Sequence, residues 1–182
     1  MTPGSPEPGP DHRRAAEGSD VAPILVLALG NVLLGDDGCG QHILAELRRW
    51  APGWGAAVEL VDGGTQGLTL LGVVAARRAV VLLDAFRLGA APGTVHRLRG
   101  QELSAAVAGR GLTAHEGNAG ELLRAAALLG ELPAETVVVG IEPARLETGV
   151  DLSPEVRGAV AEGAGSAARS VEEFLAAARG SP

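Results

Sequence analysis

Residues 24–40 read ILVLALGNVLLGDDGCG, and the fold turns on how this stretch is understood. The run from Ile24 to Leu29 is apolar at both odd and even positions, whereas a strand with one face in water alternates. It is therefore expected to be a strand covered on both faces, as in the middle of a parallel sheet. A Gly-Asn turn and a glycine-rich loop carrying Asp36 and Asp37 follow it. GQHILAELRRW (40–50) then has the apolar spacing of a helix packed on one side. Strand, tight loop and helix in this order open a βαβ unit.

Further along the chain the pattern repeats. AVELV (57–61), AVVLL (79–83) and TVVVGI (136–141) are short aliphatic runs, and GLTLLGVVAAR (67–77), NAGELLRAAALLG (118–130) and SPEVRGAVAEGAGSAARSVEEFLAAAR (153–179) have helical spacing, the last opened by Ser-Pro. Alternating strands and helices with right-handed crossovers give a largely parallel, three-layer α/β/α architecture. APGTVHRL (91–98) follows a strand after a Pro-Gly turn, which lets TVHRL run antiparallel at a sheet edge. Residues 1–20 are rich in Pro, Gly and charge and have nothing to bury, so they are expected to be a disordered tail preceding a single domain over 21–179.

Composition narrows the function. The 182 residues carry a net charge of −7 and only 2% aromatics, including no Tyr, which disfavours a nucleic-acid partner that needs surplus cations or stacking platforms. One cysteine, Cys39, precludes an internal disulfide and a multi-cysteine metal site, and fits a reducing cytoplasm. Arg13 and Arg14 before VAPILVLALG resemble a short signal peptide, but no small-x-small cleavage pattern follows. No apolar run approaches the roughly 20 residues needed for membrane insertion. The glycines at 30, 35, 38 and 40 do not spell a dinucleotide fingerprint, and no phosphate-binding loop motif occurs, so no organic cofactor is expected.

In an open parallel sheet the ligand crevice lies beyond the carboxyl ends of the strands. There the chain delivers Asp36 and Asp37 after the first strand, Asp62 in DGGTQG after the second, Asp84 at the end of the third, and His115 in GLTAHEGNAG before a later helix. Of the two adjacent acids, one can cap the helix while the other faces the crevice; spacing alone leaves open which does which. Two carboxylates and an imidazole with open positions suit a borderline divalent metal and metal-assisted hydrolysis of a peptide or ester. Asp62, Gly63 and Gly64 read as a ledge for a bound peptide, as a strand-to-helix turn capped by Thr65, or as both together. Cys39 is a candidate nucleophile or a buried apolar residue, and His12, His42 and His96 have weaker contexts.

Five segments in register carry a resemblance. GNVLLGDDGCG, VELVDGGTQGLTLL, VVLLDAFRLGAAPGTV, TAHEGNAGELL and VVVGIEPARLETGVDLSPEV resemble the hydrogenase maturation proteases, from about Ile24 to Leu175. The resemblance implies a five-stranded, twisted, mostly parallel mixed sheet with the fourth strand antiparallel. It further implies an endopeptidase that removes a C-terminal extension from the large-subunit precursor of a nickel-iron hydrogenase once nickel is in place. The nickel would be carried by the substrate. Asp37, Asp84 and His115 take the positions of the family's metal ligands, which leaves Asp36 to cap the helix start. Asp62, Gly63, Gly64, Thr65 and Gly67 take those of its substrate-facing glycine-rich loop. Glu116 stands where several members have Gln or Asn, adding a negative charge beside His115. A non-catalytic checkpoint that binds the nickel-loaded subunit, and a hydrolase using Cys39, are the competing readings.

Overall fold

The computed structural model describes residues 22–108 and 119–180; the expected tail and the loop containing His115 and Glu116 lie outside the described residues. In chain order the elements are β1 Ile24–Leu29, α1 Cys39–Leu47, a short α2 Ala51–Trp54, β2 Val58–Gly64 and α3 Leu71–Ala75, followed by β3 Ala79–Ala85, β4 Val95–Arg99, α4 Gly100–Ala108, α5 Ala119–Leu129, β5 Glu135–Ile141 and α6 Pro154–Gly180. The five strands form one sheet in the order β2-β1-β3-β5-β4. β1 pairs in parallel with β2 and with β3, and β3 with β5, while β4 runs antiparallel to β5 at the edge. The sheet is thus mixed and mostly parallel, with TVHRL as its antiparallel member.

Strand alternation divides the core between two faces. Ile24, Val26 and Ala28 of β1, with Val81 and Leu83 of β3, pack under α1 and α6. Leu25, Leu27 and Leu29, with Val80 and Leu82, pack under α3, α4 and α5. This is why β1 is apolar at every position: both faces are roofed by helices, and all six residues are buried. β2, at the edge, mixes exposed and half-buried positions. The long helix α6 begins at Pro154, with Ser153 before it accepting from the Val156 amide at 3.4 Å, so the Ser-Pro signal marks its start.

Two elements depart from the sequence expectation. β2 continues through Asp62, Gly63 and Gly64 instead of stopping at Val61, because a bulge between Ala28 and Leu29 shifts the register and lets Leu29 pair with Gly64. The expected helix over 67–77 is a 3-10 turn at Gly67–Leu70 followed by only five helical residues, Leu71–Ala75. Gly67 has φ +52° and Gly72 and two valines follow, a combination that does not sustain a long helix.

Candidate active site at the carboxyl ends of β1 and β3

The start of α1 is pressed onto the ends of two strands. A Cβ on Gly40 would lie 2.5 Å from the Leu29 carbonyl oxygen and 2.6 Å from that of Leu83, so only glycine lets the helix come this close to β1 and β3. That contact brings the turn carrying Asp36 and Asp37 beside Asp84, the penultimate residue of β3.

Asp84 is buried, and both its oxygens already have donors: the Ala85 amide to Oδ1 at 2.8 Å and the Ala119 amide, at the start of α5, to Oδ2 at 3.0 Å. Burial pushes its carboxyl up to about 7 against the pull of those two amides, and the neighbouring charge of Asp37 pushes the same way. Asp37 is buried too, and its Oδ2 accepts from the Asn31 amide at 2.8 Å. The two acids are therefore near enough to repel one another in a site with little water, the condition under which a divalent cation is favoured between carboxylates. Each Asp84 oxygen, holding one N–H, keeps a further lone pair for such an ion. The donor set of two carboxylates fits a borderline divalent metal completed by an imidazole. Among the described residues no three ligating side chains gather, and His115 lies outside them.

Asp36 does not cap α1, which carries no side-chain cap. Its fully buried carboxylate turns the other way. Oδ2 accepts from the amides of Ala144 and Arg145 at 2.9 and 3.0 Å, and Oδ1 from that of Ser153 at 2.6 Å. The acid ties the loop after β1 to the loop that leads into α6. Local spacing pointed to the nearest helix; the actual partners are more than a hundred residues away.

Asp62 is exposed on β2, where its Oδ1 accepts from the Gly64 amide at 3.0 Å and from Gln41 Nε2 at 3.4 Å. Gln41 also donates to the Gly30 carbonyl at 3.0 Å, so it links the β1 and β2 loop ends. The two glycines that follow differ. A Cβ at Gly63 would meet Leu70, Leu27 and Leu29 within 3.0 Å, so that position is closed by core packing. Gly64, at φ +50°, has open space where a side chain would be. Thr65 is exposed and caps nothing, because the turn that follows has no side-chain cap, and Gly67 is buried.

Cys39, the first residue of α1, is fully buried in the core that helix covers. Burial pushes its thiol up, and the negative charge of Asp84 adds to the effect, so it stays protonated and packs as an apolar group. His42 is exposed on α1. His96 places Nε2 3.1 Å from Glu142 Oε2. Burial would raise the Glu142 carboxyl, but the amides of Leu88 and Gly89 and the His96 ring outweigh it and hold the group below its usual range. Glu142 thereby fastens the loop after β3. Sequence reasoning missed Asn31, Gln41 and Glu142; only Asn31, in a Gly-Asn turn, carried a local signal. A groove of about 940 Å³ between the segment after α1 and the second half of α6 contains Trp50, Trp54, Arg49, Arg169 and one acid, Glu172, but no pair of facing acids.

Comparison with known proteins places the fold and the sequence in one family. A family model described as hydrogenase maturation protease matches residues 42–169. The chain is 35% identical to the hydrogenase 2 maturation protease of Escherichia coli, over 86% of this chain and 90% of that one. It is 34% identical to the hydrogenase expression/formation protein HupD of Thiocapsa roseopersicina over 74% of this chain, but spans only 61% of that relative's length. The solved structure of the hydrogenase maturating endopeptidase HybD from E. coli superposes with a TM-score of 0.65 at 32% identity, covering 86% of this chain and 91% of that chain.

Proposed function

The chain belongs to the hydrogenase maturation protease family, and from that premise we propose that it is an endopeptidase that removes a C-terminal extension from the nickel-loaded large-subunit precursor of a nickel-iron hydrogenase. The observation that carries this reading is the pair of buried acids, Asp37 and Asp84, held side by side where β1 and β3 end.

In this mechanism nickel arrives as cargo of the substrate, and Asp37, Asp84 and His115 ligate it. Asn31 holds Asp37 by its backbone amide, and the amides of Ala85 and Ala119 hold Asp84, so both acids are oriented before the substrate arrives. His115 precedes Ala119 by four positions in the sequence, a tether that spans at most about 14 Å, so the Ala119 anchor on Asp84 favours the imidazole as third ligand. When bound there, the metal would supply Lewis acidity at the substrate or serve as the mark by which a loaded precursor is recognised. With the sole thiol buried and protonated, Cys39 is not the attacking group, and this reading assigns the attack to water. Asp62 and Gly64 face the substrate backbone, Gly64 by leaving space for it, and Gly63, Thr65 and Gly67 shape that ledge.

No helix of the described residues is long and apolar enough to cross a membrane. We place the processing step in the cytoplasm, supported by the single reduced cysteine. The test is mass spectrometry of a large-subunit precursor incubated with the protein. A shortened product from the nickel-loaded precursor, and none from the nickel-free one, is expected. An intact precursor in both, with binding retained, would instead identify a non-cutting checkpoint.

A further inference from the structure

Large apolar side chains stand partly exposed on the loops at the carboxyl end of the sheet. Val32 is 46% exposed, Leu33 59%, Leu68 51%, Leu88 38% and Val150 68%. Each lies on a connection leaving the carboxyl end of a strand: Val32 and Leu33 after β1, Leu68 after β2, Leu88 after β3 and Val150 after β5. Single exposed leucines are ordinary on a protein surface; five converging on the loops around one crevice are not.

The loops that carry them are held firmly. Gly35 donates to the Gly149 carbonyl at 2.8 Å and Gly149 to that of Leu33 at 2.9 Å, which puts Leu33 and Val150 on two loops bonded side by side. Beneath them the buried Asp36 carboxylate takes the three amides of Ala144, Arg145 and Ser153. Leu88 sits on the segment fastened by Glu142. The rim is also continuous with the catalytic acids. Asn31 donates its backbone amide to Asp37, and its Oδ1 accepts from the Leu33 amide at 3.0 Å, so one residue, through its backbone and its side chain, holds both the acid and the neighbouring apolar residue. Buried and part-buried polar bonds here hold exposed apolar groups in place, an arrangement that favours preorganised binding to another protein.

We infer that Val32, Leu33 and Val150, flanked by Leu68 and Leu88, form the docking surface for the substrate protein itself, seating an apolar surface of the precursor next to its extension while the acids engage the metal. The inference rests on the endopeptidase reading for the identity of the partner: a peptide bond presented to Asp37 and Asp84 must arrive across this rim. Affinity then comes from the body of the precursor and chemistry from the crevice.

The test compares the wild type with Leu33→Asp/Val150→Asp, with Leu68→Asp as an independent second variant. The control is Leu128→Asp/Leu129→Asp, at equally exposed apolar positions on the far end of α5. Affinity for the nickel-loaded precursor is measured by surface plasmon resonance, and cleavage by steady-state kinetics. Loss of a well-packed apolar anchor predicts Kd and KM raised about tenfold or more in both rim variants, with kcat at saturation and the unfolding midpoint near wild type, and no change in the control. Unchanged Kd in the rim variants, or an equal loss in the control, would overturn the inference. Binding weakened by the rim variants without cleavage by any form would keep the docking surface and remove the endopeptidase reading. Cleavage with no rim effect would do the opposite.

Discussion

Asp84→Asn changes how stability depends on pH, and the structure gives the size of the change. Burial pushes the Asp84 carboxyl up to about 7 in the folded protein, against 3.8 for the free side chain. Between those values the folded state holds a proton that the unfolded state has released, so this group's contribution to stability is complete below about pH 4 and is lost as pH rises through about 7. At 1.36 kcal/mol per pH unit the gap is worth about 4 kcal/mol in full, of which roughly 3 kcal/mol disappears between pH 5 and pH 8. Because Asp37 contributes to the shift, the proton belongs to the pair. Asn carries no such proton, and the acceptor it loses toward Ala119 or Ala85 costs the same at either pH. Urea unfolding of chelator-treated wild type and Asp84→Asn at pH 5 and pH 8 isolates the effect, since most other groups cancel in the comparison. The variant should gain on the wild type by roughly 3 kcal/mol on going from pH 5 to pH 8. Stability differences equal at both pH values would refute the buried, acid-paired environment assigned to Asp84.

Other consequences follow from the same geometry. Divalent metal binding has to displace the Asp84 proton, so calorimetric affinity for nickel should weaken as pH falls below about 7, and an affinity flat from pH 6 to pH 8 would contradict this. Asp36→Ala takes the acceptor from one buried amide, Ser153, and two part-buried ones, Ala144 and Arg145, and should cost about 2–4 kcal/mol in urea unfolding, whereas a loss under about 1 kcal/mol would mean the two loops are held by something else. Gly40→Ala drives a methyl into two strand carbonyls that have little room to retreat and should cost about 3 kcal/mol or more, visible as a lowered midpoint. Cys39→Ala should leave cleavage within about twofold of wild type and cost about 1 kcal/mol; loss of cleavage in a folded variant would restore a thiol mechanism.

The elements legible in the sequence are those whose environment is written locally. β1, β3 and β5 announce burial on both faces by unbroken apolar runs, and α6 announces its start with Ser153 and Pro154. The strand-end positions of Asp37 and Asp84 follow from the βα order alone. Asp36 was opaque because its partners, the amides of Ala144, Arg145 and Ser153, are remote in sequence, and a local rule offers only the adjacent helix. The extension of β2 through Asp62 and two glycines was hidden because neighbouring backbone, through the bulge at Ala28 and Leu29, overrides the weak strand preference of Gly. Gly63 and Gly64 look alike in sequence, yet one is closed by three leucines and the other open. Only packing separates them.

The central claim is that Asp37, Asp84 and His115 converge on one ion. Crystals of the protein soaked in nickel or cadmium and measured at the metal edge test it directly. The account predicts a single strong anomalous peak bonded to a carboxylate oxygen of Asp37, one of Asp84 and a ring nitrogen of His115, at about 2.0–2.4 Å. A peak ligated by other side chains, or a site that leaves any one of these three uncoordinated, would contradict it.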